Sequence, residues 1–328
     1  MTRSASRVTV RAFSAAAMLA LAACAPAARV ERVGAPREGF VSTVDGARLY
    51  YRVVGAGSDT LIAIHGGPGV DLESIAGDLQ PLAARHVVIF YDQRGTGRST
   101  LPSDTTTLNA AQQVLDLDAV RRHFGLAKVT LVAHSYGPLL AATYAIAHPD
   151  LVRRMVFFGP VPPRRGDFWT RFGYSMLTRL DTAQRAALSN INKRFSDPSA
   201  DARAACREYW AIAMRPRLAE PDRTLPLIRS DLCASDAAGI RYGLTTTNRV
   251  VMASYGDWDL RAALATVTAP TLIVHGEEES IPMELVQEWT TALPHATLLR
   301  VPRAAHFTYA ERPEIVWPAV ERFLASNP

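Results

Sequence analysis

Cysteine is scarce in this chain: there are three among 328 residues, beside eight histidines. Three are too few for a small disulfide-built scaffold. None of the cysteines and histidines fall at metal-ligand spacing, so neither a metal centre nor a cofactor is expected. Long apolar runs are lacking too, and the stretch Ala12 to Ala20 is too short to cross a bilayer. Charge of one sign is also sparse. The net charge is +5, but Arg3, Arg7 and Arg11 stand before residue 24 with no acid among them, so the remainder carries only +2. Nothing forms the basic stripe of a nucleic-acid binder, and no such partner is expected. What is present is a 48% hydrophobic chain of 328 residues, long enough for the core of one large domain with an insertion.

The three arginines, the short apolar run and Leu21-Ala22-Ala23-Cys24 set residues 1–23 apart as a targeting segment. Residues 24–37 contain Ala, Pro and Arg without periodicity and read as a tether. Two alternating runs flank Asp45-Gly46, a strong hairpin signal. Short buried strands follow at Thr60–Ile64, Val87–Tyr91, Val129–Val132 and Arg154–Phe158. Helical spacing lies between them, at Leu72 to Leu82 and at Leu108 to Phe124. Strands alternating with helices predict an α/β fold: a mostly parallel twisted sheet with helices on both faces. Residues 38–161 form its first part. Residues 162–258 hold no clear buried strand and carry aromatics at helical spacings, so they read as an inserted helical cap. Residues 259–328 complete the core, with strands at Thr271–His275 and Ala296–Val301 and a closing helix around Ile315, Val316, Val320 and Phe323. Within the cap, Cys206 and Cys233 can pair as a disulfide or remain as two buried thiols.

The chemistry centres on Ala133-His134-Ser135-Tyr136-Gly137-Pro138, set between an apolar strand and an Ala-rich helix. A sharp strand-to-helix turn pushes the Ser135 hydroxyl clear of the backbone at the positive end of the helix dipole, which is how a serine nucleophile is presented. An ordinary helix N-cap is the plainer reading of the same serine. His65-Gly66-Gly67-Pro68-Gly69 follows another strand end, so the backbone N–H groups of Gly67 and Tyr136 can together hold an oxyanion. Asp92 to Ser99 follows a third strand end and reads as a loop brace. His306 lies just past the last strand and supplies the base. Glu279, past the strand ending at His275-Gly276, supplies the acid that orients it, with Glu278 as the alternative. His134, His65 and His275 read as packing and scaffold.

The order Ser135, Glu279, His306 is that of an α/β-hydrolase, which the chain resembles from about Phe40 to Phe323. His65–Gly69 with Asp92–Ser99 most resembles the prolyl iminopeptidase group. That resemblance implies a serine peptidase removing an N-terminal residue, often proline, beneath a helical cap. The group carries Gly-Gly-Ser-Trp-Gly where this chain has Ala133-His134-Ser135-Tyr136-Gly137. Its cap glutamates hold the substrate amine, one of them just after a tryptophan. Here Trp210 is followed by Ala211, leaving Glu208 and Glu220 as substitutes near it. A carboxylesterase or lipase and a non-catalytic envelope binding protein are the rival readings. A serine at the elbow speaks against the dehalogenase and epoxide-hydrolase branches. Leu21–Cys24 resembles the lipobox of bacterial lipoproteins, implying lipidation at Cys24 and a membrane-anchored protein of the cell envelope, facing the periplasm. A plain secretory signal cleaved after Ala23 and an uncleaved anchor are the alternatives.

Overall fold

The computed structural model describes residues 1–2 and 37–326. Residues 3–36, which hold nearly all of the targeting segment, Cys24 and most of the tether, therefore lie outside the described residues. Eight strands form one sheet: β1 (Arg37–Ser42), β2 (Arg48–Val54), β3 (Thr60–Ile64), β4 (Val87–Tyr91), β5 (Val129–His134), β6 (Val152–Phe158), β7 (Thr271–Gly276) and β8 (Ala296–Val301). Their spatial order is β1-β2-β4-β3-β5-β6-β7-β8. The β1–β2 hairpin turns at Asp45-Gly46, and β2 joins β4 antiparallel. All pairings from β4 to β8 are parallel. This is the predicted twisted α/β sheet. Its central strands are buried throughout, as continuous apolar runs in a parallel sheet must be.

Two apolar layers cover the faces. On one side α1 (Ala110–His123) and α2 (Gly137–Ala147) pack with Leu117, Val120, Leu139 and Tyr144 inward. On that same side, the helix Met283–Ala292 brings in Trp289. The other face is closed by Leu72, Ile75, Leu79 and the C-terminal helix through Val316 and Val320. The continuous helix expected from Leu72 to Leu82 is broken. One turn spans Glu73–Ala76 and a 3₁₀ segment spans Gln80–Ala84. The Asp78 carboxylate takes the backbone N–H groups of Arg229 and Ser230 (2.9 and 3.3 Å), and Pro81 offers no N–H to an α-helical ladder.

Residues 162–258 are helical, with one isolated bridge, Arg164 to Asp259, at their base. Their longer helices are α3 (Phe168–Thr178), α4 (Thr182–Phe195), α5 (Ala202–Ala213), α6 (Ala237–Tyr242) and α7 (Asn248–Tyr255). Helices α8 (Met283–Ala292) and α9 (Pro313–Ala325) return to the sheet. The cap has a small core of its own, in which Ile191, Phe195, Ala205 and Ile240 surround Cys206 and Cys233. Those two cysteines form a disulfide, with their Cα atoms 5.8 Å apart.

The strand order explains where a site must lie. After β3 the chain moves to one neighbour, β4, and then crosses to the other, β5. The carboxyl ends of β3 and β5 therefore adjoin, with Ile64 beside Ala133, and leave a crevice at a topological switch point.

Candidate active site

All the loops that carry the predicted chemistry leave the same edge of the sheet, because β3 to β8 run parallel. Ser135 follows β5 with φ +62°, a left-handed conformation rarely adopted by a side-chain-bearing residue. Its N–H donates to Phe158 O (2.9 Å) and its carbonyl accepts from Val161 N (3.0 Å), so the strained residue is anchored at one end to the last residue of β6 and at the other to the loop that follows. Room for the turn comes from Gly66, where any Cβ would sit 2.9 Å from that of Ser135. Ala133, the departure from the usual small residue, is wholly buried within β5, and its methyl is accommodated there.

Gly67 and Tyr136 stand at the ends of the adjoining strands. Among the described residues neither backbone N–H donates to a protein acceptor. The glycine loop is held by His65. Its Nδ1 bonds Gly66 O (2.9 Å), its Nε2 accepts from Gln93 N (3.1 Å), and burial pulls its pKa down to about 4. It is thus a neutral scaffold residue. The Asp92–Ser99 loop is a brace, as expected. Asp92 accepts from Leu72 N and Arg98 N (both 2.8 Å), and Arg94 ties Asp116 (2.7 Å) to Asp45 (2.7 Å).

His306 Nδ1 lies 2.8 Å from Glu279 Oε2. The other oxygen of Glu279 accepts from Ser280 N (2.8 Å) and Ile281 N (3.3 Å). Burial pushes this carboxyl upward, but the His306 imidazole beside it, then His275 and the Ile281 amide, outweigh burial and hold it at about 2. Glu278 is exposed, so the choice between neighbouring acids falls on Glu279. His134 packs its ring 4.6 Å from that of His306, and burial, then the His306 charge, keep it neutral. His275 Nε2 bonds Ile281 O (2.9 Å).

Ser135, His306 and Gly67 open onto one cavity of about 460 Å³ beneath the cap. Among the described residues no hydrogen bond joins the Ser135 hydroxyl to the His306 ring; in unliganded sites this bond is often long and closes with substrate. Trp210 lines the cavity, but the two cap glutamates do not. Glu208 turns outward to Arg194, and Glu220 pairs with Arg223 at 3.0 Å, both exposed. Their spacing around Trp210 suggested a common aim. The helix ending at Ala213 carries Glu208 on its outer face, and Glu220 sits beyond the turn that follows.

Three participants escaped sequence reasoning. Gly159 (φ +50°) leaves a gap that a Cβ would fill, 3.0 Å from His306 Nδ1 and 3.3 Å from Glu279 Oε2. Its position directly after a strand end was the available signal. Buried Glu311 accepts from Ala305 N and from Ala219 N (both 2.8 Å), pinning the His306 loop to the cap. Arg217 lines the cavity, and its carbonyl accepts from His306 N (3.0 Å). Nothing in the local pattern distinguished it from the many other cap arginines.

The family model described as alpha/beta hydrolase fold matches residues 59–313. A proline iminopeptidase of Heyndrickxia coagulans is 27% identical over 290 residues, covering 88% of this chain and 99% of that protein. Among solved structures, a proline iminopeptidase of Mycobacterium smegmatis superposes with a TM-score of 0.62 at 21% identity, covering 88% of this chain and 97% of the other. An esterase from Exiguobacterium antarcticum gives 0.64 at 21% identity, covering 88% and 99%. With the sheet order, the strained serine and the family match in agreement, the chain belongs to the α/β hydrolase fold family.

Proposed function

We propose that this protein is a cofactor-independent serine hydrolase working through an acyl-enzyme, with N-terminal exopeptidase activity of the proline iminopeptidase kind. In this mechanism Ser135 Oγ attacks the substrate carbonyl while His306 Nε2 takes its proton. Glu279 holds the Nδ1–H and steadies the imidazolium. The negative charge arising on the carbonyl oxygen is met by the N–H groups of Gly67 and Tyr136. As the C–N or C–O bond breaks, His306 returns the proton to the leaving group. Water then repeats the sequence on the acyl-enzyme, releasing the acid and restoring Ser135. The cap, residues 162–258, covers the site and excludes bulk water.

The observation that carries this reading is the 2.8 Å contact of buried Glu279 with His306, which opens onto the same cavity as the strained, half-buried Ser135. The exopeptidase assignment draws on the relatives named above, which match nearly end to end. A second reading, an esterase for small acyl esters, is favoured by one specific feature: among the described residues no carboxylate lines the cavity to hold a substrate ammonium. Turnover of a prolyl arylamide against short p-nitrophenyl esters separates the two. Ester cleavage without amide cleavage removes the peptidase assignment. A fluorophosphonate that fails to label Ser135 removes both, leaving a binding protein.

We also infer that the chain is lipid-anchored at Cys24 in a bacterial envelope, facing the periplasm. Leu21–Cys24 supports this, and the Cys206–Cys233 disulfide suits an oxidising compartment. Among the described residues no helix is long and apolar enough to cross a membrane. Mass spectrometry of the mature N-terminal peptide tests it: an unmodified cysteine, or cleavage elsewhere, refutes the anchor.

A further inference from the structure

The lining of the cavity includes a cation, Arg217, whose charge the mechanism does not use. Arg217 donates one N–H to Ala213 O, and among the described residues no carboxylate lies within ion-pair distance of its guanidinium. A guanidinium has five N–H donors, so several here are unmatched. The group is nevertheless held in place. It lies 5.5 Å from the centre of the Trp210 ring and 6.0 Å from that of Phe172, a cation–π bracket that fixes its plane. Its main chain is bonded to His306 N, so its distance from the reacting centre is set by the fold. Burial lowers its pKa, yet an arginine stays charged at neutral pH. Beside it, the Trp210 Nε1–H is buried and meets no acceptor. The guanidinium N–H groups left without a protein acceptor are donors that internal packing does not satisfy.

We propose that Arg217 is a specificity residue that receives a carboxylate of the substrate, so that the preferred substrates are small esters or amides bearing a carboxylate a few bonds from the scissile carbonyl. This rests on the serine-hydrolase reading. A planar carboxylate matches the guanidinium fork. Apart from Ser135 and the two histidines, the other polar side chains of the lining, Ser74, Asn192, Ser196, Tyr209, Thr245 and Asn248, bring neither a carboxylate nor a second basic group. A single cation therefore balances a monoanion, whereas a phosphate dianion would be left half neutralised. The volume of about 460 Å³ suits a small molecule.

A matched pair of esters tests it: p-nitrophenyl butyrate, which is neutral, and mono-p-nitrophenyl glutarate, which is anionic. The wild-type protein should favour the anionic ester in kcat/KM. Arg217→Gln should lower the anionic-to-neutral ratio by about 10- to 100-fold, the range expected for losing a charged hydrogen bond. Arg217→Lys should recover part of it. An unchanged ratio in Arg217→Gln refutes the assignment. Should that variant not fold, the wild type alone decides. Glutarate should inhibit neutral-ester turnover competitively and glutaramide should not, and equal inhibition by both refutes the proposal. Glutarate binding to Ser135→Ala, followed by calorimetry, separates the two layers. Binding without fluorophosphonate labelling of the wild type sinks the hydrolase reading and keeps the anion site; labelling without binding does the reverse.

Discussion

Glu279→Gln is nearly isosteric, but the surroundings decide which way the new amide points. The carboxylate now divides its oxygens between His306 Nδ1 (2.8 Å) and the N–H groups of Ser280 and Ile281 (2.8 and 3.3 Å). Both backbone groups are donors and need an acceptor, so the glutamine carbonyl must take that side. Its NH2 then faces His306 Nδ1, which has to accept. The imidazole is forced into the tautomer with its proton on Nε2, where it can no longer take the proton of Ser135. The imidazolium formed in the transition state also loses its counter-charge in a buried setting. In serine hydrolases at large, this wrong-tautomer effect costs about 10⁴ in kcat, and a factor between 10³ and 10⁴ corresponds to roughly 4–5.5 kcal/mol of barrier. The expected outcome for Glu279→Gln is a fall of that size in kcat on a p-nitrophenyl ester, with KM little changed and fluorophosphonate labelling of Ser135 slowed in parallel. Glu278→Gln, altering an exposed side chain, should stay within about twofold of wild type. Should Glu279→Gln keep more than about a tenth of the wild-type kcat, Glu279 does not orient the base and the mechanism as drawn is wrong.

Gly159→Ala places a methyl against the His306–Glu279 pair in a left-handed backbone position. It should lower kcat by about tenfold or more through displacement of the ring; steady-state kinetics at the wild-type level would refute that packing argument. Replacing Cys206 and Cys233 together by serine reopens a loop of sequence separation 27 and should cost about 3–4 kcal/mol on the chain-entropy model. Urea unfolding measures it, and an unmoved midpoint counts against a stabilising role for the bridge. Asp71 and Asp92 are both buried: burial raises both, the Asp71 charge raises Asp92 further, and the charges of Glu73 and Asp231 raise Asp71. Their folded pKa values exceed the unfolded ones, so their contribution is fully present below the ordinary carboxylate range and is lost as pH rises through the folded values. The urea midpoint should therefore fall between pH 5 and 8.5, and Asp92→Asn should flatten that fall; an identical pH slope in the variant refutes it. Glu279 has the opposite sign. Its depressed pKa contributes stability above the unfolded value, lost as pH falls towards about 2, so acid unfolding should begin at higher pH in Glu279→Gln.

Local chemistry was enough to determine much of this molecule. Apolar runs of five to seven residues that alternate with helical spacing can bury themselves only in a parallel sheet covered on both faces, and Asp45-Gly46 can turn only as it does. Ser135, His306, Gly67 and Tyr136 were legible for a related reason. In such a sheet every chemistry-bearing loop emerges at the carboxyl edge, so small residues and a late histidine at strand ends already mark one locus. Tertiary structure had to decide whatever depends on distance between segments remote in the chain. Glu279 was separable from Glu278 only by which carboxylate reaches Nδ1. Cys206 met Cys233 only because the cap helices close on a core of their own. The cap residues were the least legible: Glu208, Glu220 and Arg217 are alike as charged side chains near Trp210, and nothing local tells which one turns inward. That depends on the pitch of one helix and the turn after it, set by long-range packing, and it put a cation where a carboxylate had been expected.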